Sequence, residues 1–111
     1  MTTFDYLFRL ANRLTEVEAG SVEADRTIHR ALGREGRVPG YTREEAAARS
    51  LLPDGFEWME GTHSGLMTYA ACRRSGMDGQ WRYPHYGQFG RTLPVALCGA
   101  ALRARAGLME R

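Results

Sequence analysis

Residues 79–92, GQWRYPHYGQFGRT, gather the side chains with most to offer a partner. Trp81, Tyr83, Tyr86 and Phe89 are interleaved with Arg82, His85, Gln88 and Arg91, and Gly87 and Gly90 let another backbone come close. Aromatic rings bring rigid apolar area, some with a polar tip, and arginine brings anion contacts; this mixture is favoured at the energetic centres of protein interfaces. The same ingredients stack bases and hold phosphates. Arg74, ahead of this segment, joins the patch. The expected partner-binding set is therefore Arg74, Trp81, Arg82, Tyr83, His85, Tyr86, Gln88, Phe89 and Arg91. The opposing reading is an edge strand and loop whose rings fold back over the sheet, since Tyr and Trp are often partly buried.

Other chemistry-bearing residues do not assemble into a catalytic pattern. Ser64 follows His63 directly, which is not how a nucleophile normally meets its base. Glu57 and Glu60 fall on opposite faces of one strand. Gly87 to Thr92 enters a helix N-terminus, where an anion is favoured, but lacks the lysine of a phosphate loop and the spacing of a dinucleotide fingerprint. Thr92 as a plain N-cap accounts for it. His63, Cys72, His85 and Cys98 show neither a Cys-x-x-Cys nor a His-x-x-x-His pair, so no metal site and no cofactor are expected. His29 is placed on a charged, solvated helix face. These readings add up to a non-enzymatic binding protein.

At 111 residues the chain has the length of one domain, 1–111, with apolar and charged fractions ordinary for a soluble protein. Its formal charge of +2 does not by itself argue for nucleic acid. Every basic residue is arginine and isoleucine occurs once, a bias that fits GC-rich coding. It also means that Arg73, Arg74, Arg82 and Arg91 near one another are readable as ordinary surface charge. Asp5, Arg9 and Arg13 interrupt any leader-like apolar run, and Leu93 to Leu102 is too short to span a membrane. The expectation is a cytoplasmic protein with no membrane partner, whose Cys72 and Cys98 are small buried hydrophobes and not a disulfide.

These residues must be positioned by an α+β fold: a short antiparallel sheet of about three strands with helices 22–32, 43–52 and 93–106 packed on it and helix 4–18 added. Phe4, Leu7, Phe8, Ala11 and Leu14 form the apolar stripe of the first helix, which Gly20 ends. Ser21 caps the second, whose stripe is Ala24, Ile28, Ala31 and Leu32, with Arg26, His29 and Arg30 outward. Thr42 and Glu45 match a capping box for a third, alanine-rich helix. Pro53-Asp54-Gly55 reverses the chain into a strand starting at Phe56. A turn at 61–65 leads to a strand from Leu66 to Cys72, and Gln80 to Tyr83 supplies a third strand, with a loop from His85 to Arg91. From Val95 to Leu102 the last helix is apolar almost all round, which marks it as the central buried helix.

Several separated pieces occur in an order that resembles a known group. Glu23-Ala24-Asp25-Arg26-Thr27-Ile28 running to Ala31-Leu32-Gly33, then YTREEAAARSLLPDGF, Trp58 and LPVALCGAALRAR are similar to the phage α-β-α sandwich domain family, small proteins of phages and prophages of GC-rich bacteria. The likeness covers 22–105 and leaves 1–20 as an added N-terminal helix; Arg43-Glu44-Glu45 departs from the usual small or hydroxylated residues after the Tyr-Thr pair. The resemblance implies a phage or prophage origin and a compact α+β fold, and brings no catalytic residues. It leads to an expected accessory protein acting on a host or phage protein, with inhibition of an antiviral defence system such as CRISPR as the foremost case. The alternatives are a sponge for a nucleotide signal and a structural virion component. The first helix is expected to dock either on the domain itself or on a second copy, which makes a homodimer a further expectation.

Overall fold

The computed structural model describes residues 3–64, 67–76 and 85–109, and of residues 3, 4, 60–64, 85 and 109 the backbone alone. The expected third strand Gln80–Tyr83, with Trp81, Arg82 and Tyr83, lies outside the described residues. The element order is α1 (Thr3–Leu14), α2 (Val22–Ala31), α3 (Glu45–Arg49), β1 (Phe56–Ser64), β2 (Met67–Arg74), β3 (His85–Gly90) and α4 (Leu93–Met109). The class is α+β, as the sequence indicates, with one antiparallel sheet in the order β1-β2-β3. Among the described residues no helix is long and apolar enough to cross a membrane.

Helix α4 is the axis of the molecule because nearly every side of it is apolar and small. Val95, Ala96, Leu97, Cys98, Ala100, Ala101, Leu102, Ala104 and Ala106 are all buried. A helix apolar all round must be covered on several sides, and α4 packs against β2 and β3, against α1 and against α3. Thr92 starts it as expected, accepting from the Val95 amide at 3.4 Å through its hydroxyl and from the Ala96 amide at 3.1 Å through its carbonyl. Leu7, Leu10, Ala11 and Leu14 form the buried stripe of α1, an i, i+3, i+4, i+7 pattern. Phe8, expected in that stripe, is instead 40% exposed with the Arg103 guanidinium 5.0 Å from its ring centre. The buried face takes Leu10 in place of Phe8, and α1 docks on the chain's own α4.

The sheet turns one face to the helices. Across it, Trp58 pairs with Cys72 and Cys72 with Tyr86, Ala70 pairs with Gln88, and Thr68 with Gly90. Gly55, with φ +82°, completes the Pro53-Asp54-Gly55 reversal ahead of β1. β1 has a register shift between Met59 and Thr62 and runs on to Ser64, into the stretch 61–65 where a turn was expected. β3 occupies residues read from sequence as a loop. Two of its six positions are glycine, which weakens the strand signal, yet glycine within a strand also marks a close approach. A side-chain carbon at Gly87 would lie 1.8 Å from the Tyr69 hydroxyl, and one at Gly90 would lie 2.8 Å from the Ala96 amide of α4.

Both cysteines are free and buried, in the core between sheet and helices. The Cys72 thiol is directed to the Ala100 carbonyl at 3.7 Å and the Cys98 thiol to the Tyr41 carbonyl at 3.0 Å. Burial pushes Cys72 up from 9.0 to about 12. Cys98 is pushed up too, first by burial and then by the Asp25 carboxylate. The thiolate is the reactive form, so neither cysteine should react with an aromatic disulfide reagent in the folded protein at mildly alkaline pH, and both should react in denaturant. Fast labelling without denaturant would contradict this burial. The linkage has a sign as well. The folded thiol keeps a proton that the unfolded one releases, so this part of the stability is present below pH 9.0 and lost as pH rises toward 12.

Candidate functional site

Strand parity sorts the expected partner-binding residues. Thr68, Ala70, Cys72 and Gln88 are buried toward the helices, so the alternate positions face away from them. On that outer face Met59 pairs with Ala71, Ala71 with Gly87, and Tyr69 with Phe89. Phe89 is 48% exposed, its ring centre 4.9 Å from that of half-buried Tyr69 and tilted by 54°. Gly87 has no side chain in the space where the Tyr69 phenol lies. Arg91, just past β3, is exposed. Glu57 and Arg73 form an ion pair of 3.5 Å at the other end of the sheet, and the backbone of His85 pairs with Arg73.

Two members of the expected set turn inward. Tyr86 is partly buried against the core, with its ring centre 6.2 Å from that of Phe56. Gln88 is buried with both ends of its amide engaged: its Nε2 donates to the Ala11 carbonyl at 2.5 Å, and its Oε1 accepts from Arg103 Nε at 2.5 Å. Arg103 also donates to Asn12 Oδ1 at 2.5 Å, so one glutamine ties β3, α1 and α4 together. Period-two alternation places 86 and 88 on the α4 side and 89 opposite, so the segment cannot present all its polar and aromatic groups at once. Arg74 covers the Phe56 ring with its guanidinium 5.5 Å from the centre. Arg74 is thus engaged with Phe56, while Arg82 lies outside the described residues. Gly87 to Thr92 do not form a phosphate loop: Gly87 and Gly90 lie in β3 and Thr92 caps α4.

A second polar cluster, between α2 and the loop after it, was not foreseen. Asp25 is fully buried on α2 and accepts from the Thr42 amide at 2.7 Å, the Thr42 hydroxyl at 2.6 Å and Arg43 Nε at 2.8 Å. The Ser21 amide donates to the Thr42 oxygen at 2.9 Å. Thr42 is thus no part of a capping box. α3 begins later, with Glu44 in the N-cap position making no side-chain cap bond, and it runs for five residues only. Ser21 does cap α2 as expected, accepting from the Ala24 amide at 3.0 Å.

His29, expected outward, is buried one turn along from Asp25. Its Nε2 lies 3.2 Å from the Glu35 carbonyl and its Nδ1 2.9 Å from the Tyr41 hydroxyl. A carbonyl can only accept, which places the proton on Nε2 and makes Nδ1 the acceptor of the Tyr41 O–H. The Tyr41 oxygen in turn accepts from Arg34 at 3.1 Å. The i, i+4 spacing of Asp25 and His29 about Ile28 was the available signal, since such residues share a face. With Asp25, Tyr41 and Thr42 closed to solvent, this cluster fastens the loop to α2. Where that loop meets solvent, a cleft of about 640 Å³ is lined by Arg37, Val38, Pro39, Gly40, Arg43 and Glu44. Among the described residues no three His, Cys, Asp or Glu side chains are grouped to hold a metal ion. Comparison with protein-family models, curated proteins and solved structures returns no match, so the phage-family likeness of 22–105 rests on its sequence motifs.

Proposed function

We propose that the chain is a non-enzymatic accessory protein of phage or prophage origin that binds a host protein through the outer face of its sheet, centred on Phe89. The action that fits best is inhibition of a host antiviral defence complex, CRISPR being one such system. The observation that carries the binding role is an aromatic pair, Phe89 and Tyr69, displayed opposite the helices with Phe89 half exposed on an edge strand. Large rings left in water at a sheet edge are the usual anchors of an interface. Among the described residues β3 has a strand neighbour on one side only, and such an edge is one that a partner strand can extend. Trp81, Arg82 and Tyr83 stand directly before β3 in the chain and extend the same chemistry. The phage assignment rests on the sequence likeness.

The test is to capture partners from lysate of a phage-infected host with the natural chain and with Phe89→Ala. A captured host protein should be lost or weakened about thirtyfold, as removal of an aromatic anchor worth about 2 kcal/mol implies. The melting temperature should hardly move, because the ring is already half in water. If the variant unfolds, or retains every partner, the outer face is not the binding surface.

A further inference from the structure

A notch lies between α1 and α2, apart from the outer face of β3. Tyr6, Arg9, Leu10, Arg13 and Thr27 line a cavity of about 110 Å³. Arg9 and Arg13 sit one turn apart on α1, both exposed, and neither forms an ion pair with a described residue. Like charges at this spacing repel each other, so the bare helix gains nothing from the arrangement. Among the described residues no carboxylate lines the cavity. The nearest acidic residues in sequence are Asp5, which is already engaged, Glu16, which is exposed three residues after Arg13, and Asp25, which is buried and takes hydrogen bonds from Thr42 and Arg43; Glu23 is exposed one turn before Thr27. Leu10 makes an apolar floor and is 8% exposed, while the Thr27 hydroxyl donates to the Glu23 carbonyl at 3.0 Å and so forms part of the wall. Arg30 follows Thr27 by one turn on α2 and is exposed as well. Tyr6, 40% exposed, adds a hydroxyl and an open ring face at the rim.

We infer that this notch binds the phosphoryl group of a small phosphomonoester, held between Arg9 and Arg13. Two guanidinium groups present planar forks of N–H donors that match phosphate oxygens and form charge-assisted hydrogen bonds. A dianion placed between them turns their repulsion into two attractions above an apolar floor. The Tyr6 ring suits a flat group attached to the phosphate, such as a nucleobase. The shared chemistry is the phosphoryl group, whether it arrives as inorganic phosphate or on a nucleotide.

Titration of the full chain with AMP, inorganic phosphate and adenosine, by calorimetry at low salt, decides the matter. AMP or phosphate should bind and raise the melting temperature by mass action, and adenosine should not. Arg9→Gln with Arg13→Gln should weaken that binding about tenfold or more for each charge-assisted bond lost, with unchanged folding because both side chains are exposed. Tighter binding of AMP than of phosphate, reduced by Tyr6→Ala, would identify the nucleotide as the source; equal binding would identify free phosphate. The proposal fails if neither anion binds at millimolar concentration, if adenosine binds as well as AMP, or if binding survives in the double variant. None of these outcomes touches capture of a protein through Phe89.

Discussion

Asp25→Ala should lower the stability of the fold by about 2–4 kcal/mol, from the loss of acceptors for buried donors that cost about 1–3 kcal/mol each when unsatisfied. The carboxylate takes hydrogen bonds from the Thr42 amide, the Thr42 hydroxyl and Arg43. The Thr42 hydroxyl has a fallback, since the Ser21 carbonyl is 3.2 Å away. The Thr42 amide has none among its recorded bonds, and Thr42 is buried. Arg43 adds less, because its side chain is 47% exposed and can be hydrated again; an exposed pair is worth about 1 kcal/mol at most. Arg43→Ala should therefore be nearly silent. Asp25→Asn should fall between the two, keeping an acceptor for Thr42 while turning an amide donor toward Arg43. The magnitude separates two roles. An acidic residue in the first turn of a helix that only complements the dipole contributes about 0.3–1 kcal/mol. Urea unfolding with unchanged m-value measures the difference, and a loss for Asp25→Ala within that smaller range would reduce the clasp to a surface effect.

The clasp also explains which parts of the molecule could be read from the chain. Amphipathic periodicity finds helices by assuming that charge faces water. It located α4 because Val95 to Leu102 offers no polar alternative, and it located β1 and β2 by their alternation. It failed where a charged or polar residue is buried with all its bonds made. Asp25 and His29 lie on the inner face of α2, yet their side-chain types count them as outward. Thr42 mimics a helix cap in sequence, but its hydroxyl is claimed by a carboxylate seventeen positions earlier. β3 was missed for the same reason, since its inward Gln88 is polar and its glycines remove apolar signal. Of the expected partner-binding residues, Phe89 and Arg91 are exposed, whereas Tyr86 and Gln88 depend on strand parity that a loop reading does not define. The Arg9–Arg13 notch was illegible because it needs α2 beside α1, a long-range packing fact.

Gly99→Ala tests that parity, and it should destabilise the protein by about 1–3 kcal/mol even though alanine is favoured over glycine inside a helix by about 1 kcal/mol. A methyl at this position of α4 would stand 2.3 Å from Gln88 Cγ and 2.4 Å from its Cδ. Gln88 cannot simply swing aside, because its amide is held by the Ala11 carbonyl and by Arg103. Either the side chain leaves, stranding buried polar groups, or β3 lifts from α4. The decisive comparison is a double-mutant cycle. In a Gln88→Ala background the space is already open, so Gly99→Ala should change sign and stabilise by up to about 1 kcal/mol, the helix-propensity gain alone. A stabilising Gly99→Ala in the natural sequence would mean that Gln88 does not lie against α4. A strand has only two faces, and a shift of one residue exchanges them. The position of Gln88 beneath α4 is therefore the same fact as the exposure of Phe89, and the cycle tests the binding face without any partner in hand.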